Sequence, residues 1–263
     1  MELTVKGKKA YAYTGGKTFD AALPAVVFCH GAQSDHSVWI LQSRYLAHHG
    51  YGVLALDLPG HGRSEGPALT CVEDLADWIA AVLDAAGAKQ ASAVGHSMGS
   101  LIALECAARH PDRVAKIALL ATAYPMKVST ELLDATKNNE PVAQDMVNIW
   151  SHSAYAQYPN NPGPGFWVIG ESLRLMQRQK PGVMHVDFSA CNAYGGGGEA
   201  AAKVRCPALF LIARRDAMTP ARSAQAFAQT VKGARIVMIE GSGHNMMGEK
   251  PDEVLDALVA FLK

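Results

Sequence analysis

The chain has 263 residues, enough for one large α/β domain or two small ones with a sizeable core. Its composition is 49% hydrophobic and 18% charged, as in an ordinary soluble globular protein. Lys and Arg total 24 and so do Asp and Glu, so charge gives no reason to expect nucleic acid or an anionic membrane as partner. We therefore expect a small, weakly charged substrate.

The N-terminal sequence MELTVK lacks the basic segment and apolar stretch of a secretory signal, and no apolar run reaches the length of a membrane span. We expect a soluble, cytoplasmic protein. The five cysteines are widely spaced and form no C-x-x-C pair, so we expect buried core thiols rather than metal or redox sites.

An antiparallel ribbon opens the predicted fold, because Leu3 and Val5 alternate with polar neighbours and a second short run follows at residues 10–13. Six continuous apolar runs then fit strands that are covered on both faces. These runs span residues 25–29, 52–56, 91–94, 114–120, 208–212 and 235–239. Helical patterns lie between most of them, so the sequence predicts an α/β fold with a mostly parallel, doubly wound sheet of about eight strands.

Three helices in this alternation have recognisable end signals. Thr70 opens a capping box before an amphipathic helix that stops at Gly87. Thr219 is predicted as the N-cap of a helix that runs through Phe227, and Pro251 begins the last helix.

One long interval, residues 124–203, breaks the alternation because it contains no strand-like run. It is too long for a simple connection, so we expect a helical cap, or lid, inserted after the sixth strand. The core domain then comprises residues 1–123 and 204–263. Aromatic residues in the interval either line a substrate pocket or form the lid's own core, and we favour the core for most of them. Those scattered among its turns are Trp150, Tyr155, Tyr158, Phe166 and Trp167, of which Trp150 and Trp167 are the candidate pocket residues.

A serine lies at a predicted strand-to-helix turn, in the sequence GHSMG at residues 95–99. The strand-like run 91–94 precedes it, and a helical pattern at residues 101–108 follows. Such a turn lifts the hydroxyl clear of the backbone, and glycines on both sides remove Cβ atoms that would collide. This context makes Ser97 the candidate nucleophile of a G-x-S-x-G elbow.

A serine hydroxyl needs a base to remove its proton, and the base needs a third group that holds its tautomer. In an open α/β sheet such groups collect at the carboxyl ends of the strands. Asp216 follows the fifth of the six apolar runs, and His244 follows the sixth. Asp57 also stands at a strand end and is the rival acid, while Asp216 could instead cap the helix that follows it.

The chain order of the serine, the aspartate and the histidine resembles that of α/β-hydrolases, and the resemblance covers nearly the whole chain. The H-G pair at residues 30–31 is similar to the family's oxyanion motif. Residues 57–64, DLPGHGRS, resemble its D-x-x-G-x-G-x-S segment, and the G-H pair at residues 243–244 resembles its terminal motif. The pattern is closest to esterases and related small-molecule hydrolases of the Ser-Asp-His type.

This resemblance implies that Ser97 is the nucleophile, His244 the general base and then acid, and Asp216 the carboxylate that orients it. It also implies an oxyanion hole made by the backbone N–H groups of Ala32 and Met98.

The same resemblance implies supporting rather than catalytic roles for the polar residues near the site. Asp57 is structural in the family, and His30 and His96 flank the site without acting as the base. No histidine and carboxylate spacing matches a zinc site, and no phosphate-binding or dinucleotide glycine pattern follows the first strand. We therefore expect neither a metal nor a cofactor.

The reaction that fits best is cleavage of a small, largely uncharged carboxylic ester. A serine at the elbow argues against haloalkane dehalogenases and epoxide hydrolases, which resemble this chain but attack with an aspartate. The sequence leaves the oligomeric state and the physiological substrate open. C–C bond hydrolases, lactonases and cofactor-free perhydrolases remain alternatives on the same triad, and a ligand-binding receptor with slow turnover is the alternative of another class.

Overall fold

The computed structural model describes residues 1–157 and 167–263. Within these residues eight strands form one sheet: β1 Glu2–Val5, β2 Lys8–Tyr13, β3 Ala25–Cys29, β4 Gly52–Asp57, β5 Ala91–His96, β6 Val114–Leu120, β7 Ala208–Ala213 and β8 Arg235–Ile239. Their spatial order is β1-β2-β4-β3-β5-β6-β7-β8. β2 pairs antiparallel with β1 and β4, and all pairings from β4 to β8 are parallel. The predicted mostly parallel sheet is confirmed.

The described helices are α1 Ile40–Ala47, α2 Val72–Ala85, α3 Met98–Arg109, α4 Thr130–Asn138, α5 Glu140–Ser151, α6 Val168–Gln177, α7 Val183–Ala193, α8 Gly197–Lys203, α9 Ala221–Ala228, α10 Met246–Glu249 and α11 Pro251–Leu262. One hydrophobic core receives side chains from α2, α3, α8 and α9, and a second receives them from α1, α10 and α11. In the described part of the chain no helix combines the length and the apolar character needed to cross a bilayer.

Alternate residues of the central strands face these two cores. Val27 of β3 packs in the first core, whereas its neighbour Phe28 packs in the second. β3, β4 and β7 are buried along their whole length. Helices cover both faces of the sheet, which explains why these strands appear as continuous apolar runs rather than as alternating patterns.

Two predicted helix starts are wrong by one residue. α2 has Cys71 rather than Thr70 at its N-cap position, and that residue makes no side-chain cap bond. α9 has Pro220 at its N-cap position. The Thr219 hydroxyl instead donates to Asp216 Oδ2 at 2.6 Å, in a charge-assisted hydrogen bond.

Helices α4 to α8 and a short 3-10 helix, Ala154–Gln157, occupy the interval between β6 and β7. Leu132, Ala143, Met184 and Phe188 form a small hydrophobic core among α4, α5 and α7. This core holds these helices together independently of the two cores that cover the sheet.

The three described aromatic residues among those considered above lie outside that small core. Trp150 is 37% exposed, Tyr155 47% and Trp167 66%. The Trp167 indole packs over Gly170, where an added Cβ would lie 2.0 Å from the ring. Our expectation that most of these aromatics are core residues is therefore wrong for these three, and Tyr158 and Phe166 lie outside the described residues.

All five cysteines are free thiols, and Cys29, Cys106 and Cys191 are buried. Burial raises the pKa of each of these three thiols, that of Cys106 to about 12. A thiol with a raised pKa is a poor nucleophile and metal ligand at neutral pH.

Candidate active site

Ser97 lies on the turn between β5 and α3 with φ at +53°, a left-handed conformation that costs a non-glycine residue about 1–3 kcal/mol. Its own N–H donates to the Leu120 carbonyl at 2.9 Å, which holds the turn against β6. A Cβ at Gly95 would lie 2.0 Å from the carbonyl oxygen of Gly99, and one at Gly99 would lie 2.2 Å from that of Cys29. Both glycines are therefore required for the strand and the helix to meet at this angle.

Asp216, after β7, and His244, after β8, are joined by a hydrogen bond of 2.8 Å between Oδ2 and Nδ1. Asp216 Oδ1 accepts the N–H groups of Met218 and Thr219, each at 2.8 Å. Burial would raise the pKa of Asp216, but the charge and hydrogen bond of His244 and the bonds from Thr219 lower it below its usual value. The ionised carboxylate thus orients the His244 ring through Nδ1–H.

Ser97 and His244 line the same cavity, which has a volume of about 710 Å³. Ala32 lines it as well, whereas Met98 is fully buried behind the turn. Among the described residues the N–H groups of Ala32 and Met98 have no acceptor. Two free amide donors beside a serine hydroxyl are the components of an oxyanion site.

The apolar part of the cavity wall comes from both the core and the interval between β6 and β7. It includes Val38, Val147, Leu175, Met176, Phe188, Met218 and Met247. Neither Trp150 nor Trp167 is among the described lining residues, which corrects our choice of pocket residues. The Trp150 indole is partly exposed on the outside of α5, and the Trp167 indole is partly exposed at the start of α6. A large side chain in this interval therefore does not necessarily face the cavity.

Two histidines beside the turn have pKa values that keep them neutral. Burial, reinforced by the charge of His61, lowers the pKa of His30 to about 4; its Nε2 accepts the Leu58 N–H at 3.1 Å. Burial and the nearby charge of His244 lower the pKa of His96 to about 3. Its Nε2–H donates to the His244 carbonyl at 2.9 Å. His96 therefore supports the loop that carries His244.

The rival acid Asp57 is paired with a different histidine. It is fully buried and accepts from Nδ1 of His36 at 2.7 Å, from the His36 N–H at 2.9 Å and from the Arg63 N–H at 2.8 Å. Asp35, His36 and Asp57 have donor atoms within 4.8 Å of one another and could hold a metal ion. However, Asp35 already binds Arg178 in a salt bridge of 2.6 Å, so its charge is compensated by the protein itself.

Sequence reasoning missed a buried carboxylate that braces the His244 loop. Glu249 of α10 accepts the Gly243 N–H at 2.9 Å and the Ser153 N–H at 3.1 Å. Burial raises its pKa despite these bonds. It ties the residue before His244 to the segment that follows α5. Glu249 lies just before the predicted start of the last helix, and the sequence there gave no sign of this contact.

Known proteins are similar to this chain over most of its length. A model of the alpha/beta hydrolase fold family matches residues 24–251. The chain is 28% identical over 257 residues to a bifunctional esterase/perhydrolase of Acinetobacter calcoaceticus, covering 91% of this chain and 92% of that protein. It is 24% identical over 244 residues to (E)-2-((N-methylformamido)methylene)succinate hydrolase of Acinetobacter baylyi, covering 90% of each.

Solved structures are similar over the whole chain. The enol-lactonase from Burkholderia xenovorans LB400 has a TM-score of 0.87 at 23% sequence identity, covering 100% of this chain and 99% of that one. At this level of identity the similarity concerns the fold.

Proposed function

This chain belongs to the alpha/beta hydrolase fold family, and from that premise we propose that it is a serine hydrolase that cleaves a small, largely uncharged carboxylic ester. One observation carries the proposal. Ser97, on a turn with positive φ, lines the same cavity as His244, whose Nδ1 is bonded to Asp216. A nucleophile, a base and an orienting acid therefore meet at one edge of the sheet.

Acylation begins when His244 Nε2 takes the Ser97 hydroxyl proton and Oγ bonds to the ester carbonyl carbon. The carbonyl electron pair moves to the oxygen, and the resulting negative charge is stabilised by the N–H groups of Ala32 and Met98. Collapse of this intermediate expels the alcohol oxygen, which takes the proton back from His244. Asp216 stays ionised and stabilises the imidazolium in between.

Deacylation repeats the same steps with water in place of the serine. His244 removes a proton from water, the hydroxide oxygen bonds to the acyl carbon, and the second tetrahedral intermediate uses the same amide donors. Its collapse breaks the bond to Ser97 Oγ, which regains a proton from His244. The carboxylic acid leaves and the free enzyme is restored.

The cavity supports a substrate of low charge. Among the described residues, the charged ones that line it are two acids, Glu171 and Asp252, and two bases, Arg174 and Arg178, of which Arg178 is already paired with Asp35. The described wall therefore presents no excess of one charge sign to a bound molecule, and most of the rest of it is apolar. An acyl chain of several carbons is stabilised there by the hydrophobic effect.

Residues 124–203 act, in this proposal, as a cap that sets substrate choice. α5, α6 and α7 contribute Val147, Leu175 and Phe188 to the cavity wall, while the proposed reacting groups follow the ends of strands β5, β7 and β8. Such a division separates binding from chemistry, so changes in the cap alter the ranking of substrates more than the reactivity of the serine.

The experiment compares sustained turnover of matched neutral and charged esters. A butyryl ester and a succinyl ester of the same phenol are similar in length, and only the second carries a carboxylate. Repeated turnover with a clear preference for the butyryl ester is expected. A single slow acylation per molecule would favour a receptor, and hydrolysis confined to lactones or diketones would favour the corresponding alternative. Turnover with added hydrogen peroxide tests peracid formation, which the 28% identical esterase/perhydrolase suggests as a side activity.

A further inference from the structure

We infer that the buried pair formed by Asp187 and His61 positions the oxyanion hole, by holding the backbone of Gln33 next to Ala32. Asp187 is thus a positioning residue for the reaction, although it lies in the cap segment and touches no reacting atom. The inference rests on the proposed function, because it assigns a task to the amide of Ala32.

The geometry joins three separate parts of the chain at one carboxylate oxygen. Asp187 Oδ2 accepts the Gln33 N–H at 2.7 Å, and the same oxygen lies 2.9 Å from His61 Nε2. Asp187 and His61 are each 1% exposed. A hydrogen bond that is buried and charge-assisted fixes its donor more firmly than one that competes with water.

The partners of His61 indicate that it carries a positive charge. Its Nδ1 lies 3.1 Å from the Pro59 carbonyl, and its Nε2 faces the Asp187 carboxylate. Both partners are acceptors, so only the doubly protonated ring donates to each. Burial alone would lower the pKa of His61, but the charge of Asp187 and the two hydrogen bonds raise it above its usual value.

Gln33 needs such an anchor because its backbone is strained. Its φ is +48°, in the left-handed region that disfavours residues with a Cβ. It is 1% exposed, so without Asp187 its N–H would be buried without an acceptor. If this acceptor were lost, the loop that also carries Ala32 would rotate, because rotation relieves the backbone strain and lets the free N–H find another acceptor. An oxyanion donor must lie within a few tenths of an ångström of its working position to be effective.

The side chain of Gln33 is held separately. Its Nε2 donates to Glu140 Oε1 at 2.8 Å. This bond keeps the side chain in place, but it does not satisfy the backbone N–H that adjoins Ala32. Asp187 therefore has a task that Glu140 does not duplicate.

The test compares Asp187→Ala with Asp187→Asn. The alanine variant removes the acceptor, whereas the asparagine oxygen, in the place of Oδ2, can still accept both the Gln33 N–H and the His61 Nε2–H without carrying a charge. Asp77→Ala is the matched control, since Asp77 bonds Nε2 of His110 at 2.7 Å and is absent from the described cavity wall. Should Asp187→Ala fail to fold, Asp187→Ser, whose hydroxyl is too short to reach the Gln33 N–H, replaces it.

Each variant is titrated to completion with a fluorophosphonate, so that kcat refers to functional sites only. For an acetyl ester we expect kcat per site of Asp187→Ala to fall about 10- to 100-fold with KM little changed. Affinity for a boronic acid, which mimics the tetrahedral intermediate, should fall by a similar factor. Asp187→Asn should recover most of kcat, and Asp77→Ala should match the wild type.

Three results would overturn the inference alone: wild-type kcat per site in Asp187→Ala, a loss confined to the number of titratable sites, or an equal loss in Asp187→Asn. A wild-type protein that is not labelled at Ser97 would instead overturn the proposed function, and the inference with it. The two failures are therefore distinguished before any variant is compared.

Discussion

Replacement of His96 by glutamine tests whether the histidine beside the candidate nucleophile is neutral in the folded protein. Burial, with the charge of His244, lowers the pKa of His96 from 6.5 to about 3. The His96 Nε2–H donates to the His244 carbonyl at 2.9 Å, and the glutamine Nε2–H can make a similar bond. The variant therefore keeps a donor and removes the titrating group.

The sign of the effect follows from proton binding. The unfolded chain protonates this histidine below its ordinary pKa of 6.5, whereas the folded protein leaves it neutral down to about 3. Stability is therefore fully present above 6.5 and decreases as the pH falls through this range. At pH 5, about 1.5 pH units below the unfolded pKa, the loss is about 2 kcal/mol.

The assay is urea unfolding of the wild type, His96→Gln and His48→Gln at pH 8 and pH 5. His48 is exposed, so its replacement is the control for losing a histidine without burial. From pH 8 to pH 5 the free energy of unfolding should fall about 2 kcal/mol further in the wild type and in His48→Gln than in His96→Gln. An equal fall in all three proteins would refute the conclusion that His96 is held neutral.

Three further predictions concern other parts of the site. Asp216→Asn should lower kcat by orders of magnitude in a folded protein, since an amide cannot hold the imidazole tautomer; a larger loss in folded Asp57→Asn would make Asp57 the acid. Gly99→Ala should lower the melting temperature strongly or prevent folding, because its Cβ would lie 2.2 Å from the Cys29 carbonyl oxygen, and an unchanged melting temperature would contradict this. Phe188→Ala should shift kcat/KM toward bulkier acyl groups by about 1–3 kcal/mol, whereas equal changes for acetyl, butyryl and benzoyl esters would exclude contact with the acyl chain.

The strands were predictable because burial on both faces leaves a continuous apolar run. The run at residues 25–29 coincides with β3, and that at residues 91–94 stops short of the end of β5 only because Gly95 and His96 are not apolar. Parallel order then brings strand ends to one edge of the sheet. This is why Asp216 and His244, far apart in sequence, could be paired before their contact was observed.

The cavity wall was not predictable from the sequence in the same way. Trp150 and Trp167 were chosen for their size, but the direction of a side chain from a helix depends on how that helix packs. α5 directs Val147 to the cavity and leaves Trp150 37% exposed. Phe188 was not singled out, because nothing in its neighbours distinguishes a cavity residue from a core residue.

The contact of Asp187 with Gln33 and His61 has no local sequence signal. Asp187 lies 154 residues from Gln33 and 126 from His61, and it occupies the middle of a helix rather than a motif. His61 belongs to the DLPGHGRS segment, but that segment does not name its partner. Contacts of this kind can be identified only once the packing of α7 against the rest of the fold is known.

Covalent labelling of Ser97 tests the central claim most directly. The wild type and Ser97→Ala are treated with a fluorophosphonate, the labelled peptide is identified by mass spectrometry, and turnover of an acetyl ester is measured on the same samples. We predict one label per chain on Ser97 with parallel loss of activity in the wild type, and neither label nor turnover in a folded Ser97→Ala. A label on another residue, or turnover that survives in Ser97→Ala, would contradict the account.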